Sequence, residues 1–156
     1  QRHGETAKRL GMPMLVGEWG AYGGSPDALG AAQFVIGQFE KLLCGNTYWA
    51  YSRDISKVGA WGALNRAYPM ESCGTLVSYS ADLAKGALTC TWKEDPKVTA
   101  PTRIYVPESY KCTKDRIVVE PAGKGFSVDP VRKGTGSVYV TVPASGKAIE
   151  RTLTLK

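Results

Sequence analysis

With 156 residues, 43% of them hydrophobic and 22% charged, the chain is long enough for one ordinary domain or two small ones and too apolar to be disordered. A formal charge of +6 comes from Lys and Arg residues that are scattered and form no basic run, so it describes a solvated surface and excludes nucleic acid as the expected partner. No apolar stretch approaches the ~20 residues that a membrane-spanning helix requires, so no transmembrane segment is expected.

The first half alternates helix and strand. Residues 5–10 have the character of a helix end, with Gly11 as its C-terminal stop and Pro13 just beyond. The chain opens on Gln1-Arg2-His3 inside this helix, without an initiator Met or a signal sequence, which points to a fragment or a processed chain. Met14-Leu15-Val16-Gly17-Glu18-Trp19-Gly20 reads as a short buried strand, and Ala21-Tyr22-Gly23-Gly24 as a loop. Ser25 is the expected N-cap of a second helix, with Pro26 in its first position and Asp27 complementing its dipole. An apolar stripe at Ala28, Ala32, Val35, Phe39 and Leu42 follows, and Gly45 is the expected stop. Asn46-Thr47-Tyr48-Trp49-Ala50-Tyr51 is a second strand, so strand, helix and strand imply a parallel pair joined by a crossover.

The pattern changes after Gly74. Short β-rich runs at 75–80, 87–92, 102–106, 116–120, 125–128, 137–142 and 152–155 are separated by Pro, Gly and charged residues, as in an antiparallel sandwich. The expected organisation is thus α/β for 1–74 and all-β for 75–156. Two parallel strands and a helix cannot cover both faces of their own sheet, so the first part should belong to something larger.

Of the four cysteines, Cys44 ends an apolar helix and is expected as a buried thiol. A Cys90–Cys112 bridge is conceivable, although four cysteines allow three full pairings and spacing does not choose. Such a bridge would favour an extracellular setting. The single histidine, His3, and the lack of any C-x-x-C pair argue against zinc and against a serine triad.

Chemistry is concentrated at Glu18. A carboxylate ending an apolar strand sits where β/α folds build their sites, and in a desolvated place it is costly unless paired or functional. Trp19 and Tyr22 add aromatic surface nearby. Trp49 and Tyr51 close the second strand with flat rings of the kind that stack on the apolar faces of sugars. The plainer account is that Glu18 is a solvated strand end and the aromatics are core. Tyr105, Tyr110, Tyr139 and Trp92 could likewise form a sugar-binding face on the sandwich, or simply pack in it.

The run Gly11-Met12-Pro13-Met14-Leu15-Val16-Gly17-Glu18-Trp19-Gly20, a helix, and then Thr47-Tyr48-Trp49-Ala50-Tyr51 resembles strands seven and eight of glycoside hydrolase family 5, in particular its endoglycoceramidase-like members. Asn65-Arg66-Ala67-Tyr68-Pro69 is similar to that family's closing stretch, with Ala67 where a Pro is common. The resemblance implies the C-terminal fragment of a (β/α)8 TIM barrel followed by a β-sandwich. It implies a retaining mechanism with Glu18 as catalytic nucleophile and Trp49 beside the sugar subsite, with no cofactor and no metal. The substrate would be a β-linked glycolipid or oligosaccharide. The family's second, acid/base Glu comes from strand four, which nothing in this chain matches, so the chain alone is expected to be inactive. The rival reading is a non-catalytic carbohydrate-binding or structural β-sandwich module.

Overall fold

A computed structural model describes residues 2–20, 22 and 24–156. Gln1 and two residues of the expected loop, Ala21 and Gly23, lie outside the described residues. The chain forms two compact units, Gln1–Leu64 and Asn65–Lys156.

The first unit opens with helix α1, Arg2–Leu10. It stops as its sequence requires: Gly11 takes φ +64°, its amide donates to Lys8 and the Met12 amide donates to Ala7, the double bond of a Schellman end. Strand β1, Leu15–Gly20, then pairs in parallel with β2, Gly45–Trp49. Helix α2, Ala28–Leu42, lies between them in sequence.

Three details of α2 differ from expectation. The N-cap is Asp27 rather than Ser25, and its carboxylate makes no capping bond. Ser25 instead closes a turn, its carbonyl accepting from the Ala28 amide at 3.2 Å. At the other end the left-handed position falls on Leu43, φ 51°, and Gly45 already belongs to β2. The buried stripe is Ala28, Ala32, Ile36 and Phe39. Ile36 is buried where Val35 was expected, Val35 is half-buried, and Leu42 at the end of the expected stripe is exposed, so the buried side of the helix is turned toward Ile36. A short helix α3, Trp61–Leu64, ends the unit.

The second unit is an antiparallel sandwich. One sheet has the order β4-β5-β10-β7, formed by Gly74–Asp82, Ala87–Glu94, Glu150–Leu155 and Ile117–Glu120. The other has the order β3-β6-β9-β8, formed by Tyr68–Glu71, Thr102–Val106, Val138–Val142 and Ser127–Pro130. All seven expected runs are strands. The eighth, β3, pairs with β6 and so joins the sandwich, which is why the units divide at Leu64/Asn65 and not at 74/75.

Period-two alternation builds the core. Leu88, Cys90 and Trp92 of β5 and Leu153 and Leu155 of β10 are buried in one cluster with Ile104 and Val106 of β6 and Val140 and Val142 of β9. The conceivable Cys90–Cys112 bridge is not formed, and all four cysteines are free. Cys90 sits on the core face of a strand flanked on both sides, where burial pushes its thiol up to about 12. Trp92 and Tyr110 are also core, whereas Tyr105 and Tyr139 stand opposite one another across β6 and β9 on the outer face. The four aromatics therefore share no common sugar-binding face. Among the described residues no helix is long and apolar enough to cross a membrane.

Candidate active site

The site begins with an irregularity in β1. Val16 stands opposite Asn46 and Trp19 opposite Tyr48, so Gly17 and Glu18 together oppose the single residue Thr47. This is a bulge: one strand carries an extra residue and the side-chain alternation slips by one. Val16 and Trp19 are both half-buried, whereas Leu15, Gly17 and Glu18 are exposed. Strict alternation from Leu15 would have put Glu18 on the same side as Val16 and left Trp19 exposed. The bulge exchanges them.

The consequence is a division of labour between the two faces. Trp19 packs edge-on against Phe39 of α2, ring centroids 5.4 Å apart, and against Tyr48 at 5.3 Å. Its indole Nε1 donates to Asn46 Oδ1 at 3.0 Å. Tyr22 completes this aromatic group, 6.4 Å from Trp19. Burial, followed by the neighbouring Tyr48, raises the Tyr22 phenol above its ordinary value, so it stays neutral through physiological pH. Trp19 and Tyr22 thus lie on the helix side and brace the strand pair.

Glu18 precedes Trp19 in the extended chain and Trp49 follows Tyr48, so both fall on the opposite, open face. Trp49 is 58% exposed and Tyr51, beyond the strand end, is 80% exposed. Gly20 and Trp49, the last residues of β1 and β2, are paired, which sets both strand ends level. Gly20 has φ +116°, and a Cβ there would meet the Tyr48 ring at 2.5 Å and the Trp49 carbonyl at 3.0 Å. Only glycine lets the strand turn away so close to the aromatic pair.

Of the five residues singled out from the sequence, the structure therefore brings Glu18 and Trp49 onto one face. It sets Trp19 and Tyr22 on the other and leaves Tyr51 past the strand. Sequence reasoning passed over Asn46 and Thr47. Their signal was two polar residues ahead of an aromatic strand end. An exposed carboxylate and an exposed indole on one face can serve as a nucleophile or base and as a stacking platform. Among the described residues no group of three or more His, Cys, Asp or Glu side chains could hold a metal ion.

Comparison with protein families matches residues 66–154 to the Glycoside hydrolase family 5 C-terminal domain. Comparison with the curated proteins finds no match. Among solved structures, endo-glycoceramidase II from Rhodococcus sp. is 27% identical, with a TM-score of 0.69 over 97% of this chain and 35% of its own. That protein has been solved as a lactosyl-enzyme intermediate and in complex with ganglioside GM3. Sterylglucosidase 1 from Cryptococcus neoformans shares the fold at 15% identity and a TM-score of 0.58, over 92% of this chain and 28% of its own. An endogalactoceramidase does so at 14% identity and a TM-score of 0.62, over 97% of this chain and 35% of its own. The chain spans about a third of the length of the structures it matches. The fold is a parallel β/α piece of a TIM barrel followed by an antiparallel sandwich.

Proposed function

The chain belongs to glycoside hydrolase family 5, whose C-terminal domain it carries, and from that premise we propose that it forms part of a retaining β-glycosidase in which Glu18 is the nucleophile. The observation that carries this reading is the placement of Glu18, two residues before the paired strand ends, and of Trp49, at them, on one open face of two parallel strands. Reaction centres of β/α barrels are built at that end of the strands.

In the proposed reaction the Glu18 carboxylate attacks the anomeric carbon. A second carboxyl group, about 5–5.5 Å away, gives its proton to the departing aglycone oxygen. A glycosyl ester on Glu18 results. The second carboxylate then takes a proton from water, which attacks the same carbon, releases Glu18 and leaves the anomeric configuration unchanged. Trp49 supplies a flat apolar surface for the sugar ring.

The second carboxyl group is proposed to come from outside this chain, which leaves the chain by itself inactive. Glu5 and Glu40 belong to helices α1 and α2, and Glu71 is engaged by Arg103 at 3.1 Å within the sandwich. A β-linked glycolipid or oligosaccharide is the proposed substrate class, supported by the glycolipid and lactosyl complexes of the Rhodococcus relative.

The test uses the polypeptide in which this chain is joined to the β/α units that complete a barrel. An aryl β-lactoside fluorinated next to the anomeric carbon should lose its aryl group and glycosylate the enzyme, and peptide mass spectrometry should find the sugar on Glu18. A sugar on any other carboxylate would falsify the assignment. Trp49→Ala in the same polypeptide should raise KM for an aryl β-lactoside about tenfold, or roughly 1.4 kcal/mol, with a smaller effect on kcat. Unchanged steady-state kinetics would place the indole outside the sugar site.

A further inference from the structure

Thr47 lies opposite the bulge, and its hydroxyl donates to the Gly17 carbonyl. We propose that Thr47 is a positioning residue for the Glu18 carboxylate, acting by clamping the bulge that brings Glu18 onto the open face. This rests on the reading of Glu18 as the nucleophile.

A bulge has a structural cost: the extra residue loses its place in the ladder, and a backbone carbonyl there needs another donor. The Gly17 carbonyl finds it in Thr47 Oγ1, a side chain of the partner strand. The clamp has a counterpart one residue earlier in β2. Asn46 Oδ1 accepts from the Trp19 indole at 3.0 Å on the helix side. Consecutive residues of β2 thus hold the residue before Glu18 by its backbone and the residue after it by its side chain, from opposite faces. Glu18 is carried between two fixed points.

Of the two neighbours of Glu18, Gly17 contributes nothing to holding this register. Gly17 has no side chain, and a Cβ built on it would meet nothing within 4 Å. Nothing local in β1 therefore prevents the strand from relaxing into regular alternation. That relaxation would move Glu18 to the half-buried side now occupied by Trp19. The aromatic packing of Trp19 against Phe39 and Tyr48 resists the slip from one side, and the Thr47 hydroxyl resists it from the other.

The experiment compares Thr47→Val, Thr47→Ala and Thr47→Ser in the barrel-complete polypeptide, with Glu18→Gln alongside and an aryl β-lactoside as substrate. Valine and alanine remove the hydroxyl, whereas serine keeps it. The two hydroxyl-less variants should lose kcat by about ten- to a hundredfold, the scale of a misplacement near 1 Å. Their KM should change less than twofold, and Thr47→Ser should keep kcat within about threefold of the parent. A purely structural role would lower the melting temperature without this split and without rescue by serine. The proposal is overturned if a folded hydroxyl-less variant keeps the parent kcat, or if Thr47→Ser loses as much as Thr47→Ala. A fully active Glu18→Gln protein would overturn the nucleophile reading itself, so the two failures are distinguishable.

Discussion

Glu18→Gln, in the barrel-complete polypeptide, is expected to lower turnover of an aryl β-lactoside by about a thousandfold or more, the scale on which enzymes lose rate when a nucleophile is removed. An amide has nearly the shape of the carboxylate but cannot form and release the glycosyl ester. Glu18 is exposed, and its neighbour Trp19 carries the packing of the strand. The melting temperature should therefore be unaltered, which separates lost chemistry from lost structure. A companion variant, Glu18→Ala, opens space on the face that the carboxylate occupied. Azide added to it should attack the anomeric carbon from that side and yield a glycosyl azide of inverted configuration. Activity of Glu18→Gln within tenfold of the parent would move the nucleophile elsewhere.

Arg151→Leu is expected to destabilise the sandwich by about 3–5 kcal/mol, the range for removing one member of a buried ion pair. Arg151 of β10 and Glu94 of β5 have side chains only 1% exposed and meet at 3.2 Å. The Arg151 guanidinium also donates to the Pro143 carbonyl and lies over the Trp92 ring, 5.9 Å from its centroid. Its Nε and Nη2 find no hydrogen-bond partner among the described residues. Leucine would leave Glu94 with the Ser145 amide and hydroxyl as its remaining donors. For a unit of this size such a loss corresponds to a fall in melting temperature on the order of 12–40 °C. Replacing both partners, Glu94→Met with Arg151→Met, should recover much of it, since no charge is then stranded. A single variant as stable as the parent would show that the pair contributes little.

The same pair fixes the acid response. Burial pushes the Glu94 carboxyl up, but the Ser145 hydroxyl and amide and the Arg151 guanidinium together outweigh it and hold Glu94 below the ordinary carboxylate range. A carboxyl lowered in the folded state contributes stability that is fully present above its unfolded pKa, about 4.3. That contribution is lost as pH falls through the folded value. In Arg151→Leu the lowering is weaker, so the margin gained above pH ~4.3 shrinks.

Much of the secondary structure was legible from local pattern. All seven short runs after Gly74 are strands, because alternation and turn residues act over a few positions. The strand Tyr68–Glu71 was missed: it is short, contains Pro69 and Met70, and is made a strand by pairing with β6. The helix ends shifted for a similar reason. Ser25 and Gly45 are better cap residues than Asp27 and Leu43, yet the turn at Ser25 and the start of β2 at Gly45 took them first. The conceivable Cys90–Cys112 bridge failed because sequence spacing does not reveal that Cys90 faces the core of a central strand.

By itself the sequence determined which residues could do chemistry: a carboxylate and an indole, each near the end of an apolar strand, and a second half rich in short strands. Hydrophobic period and residue type carry that much, since both are local properties. Only the tertiary structure decided which of the aromatics accompanies the carboxylate. A single extra residue in β1, opposite Thr47, turns Trp19 toward α2 and Glu18 toward the open face that Trp49 shares. A bulge depends on how residues 29 or 30 positions apart pair with one another, and no pattern within either strand records it.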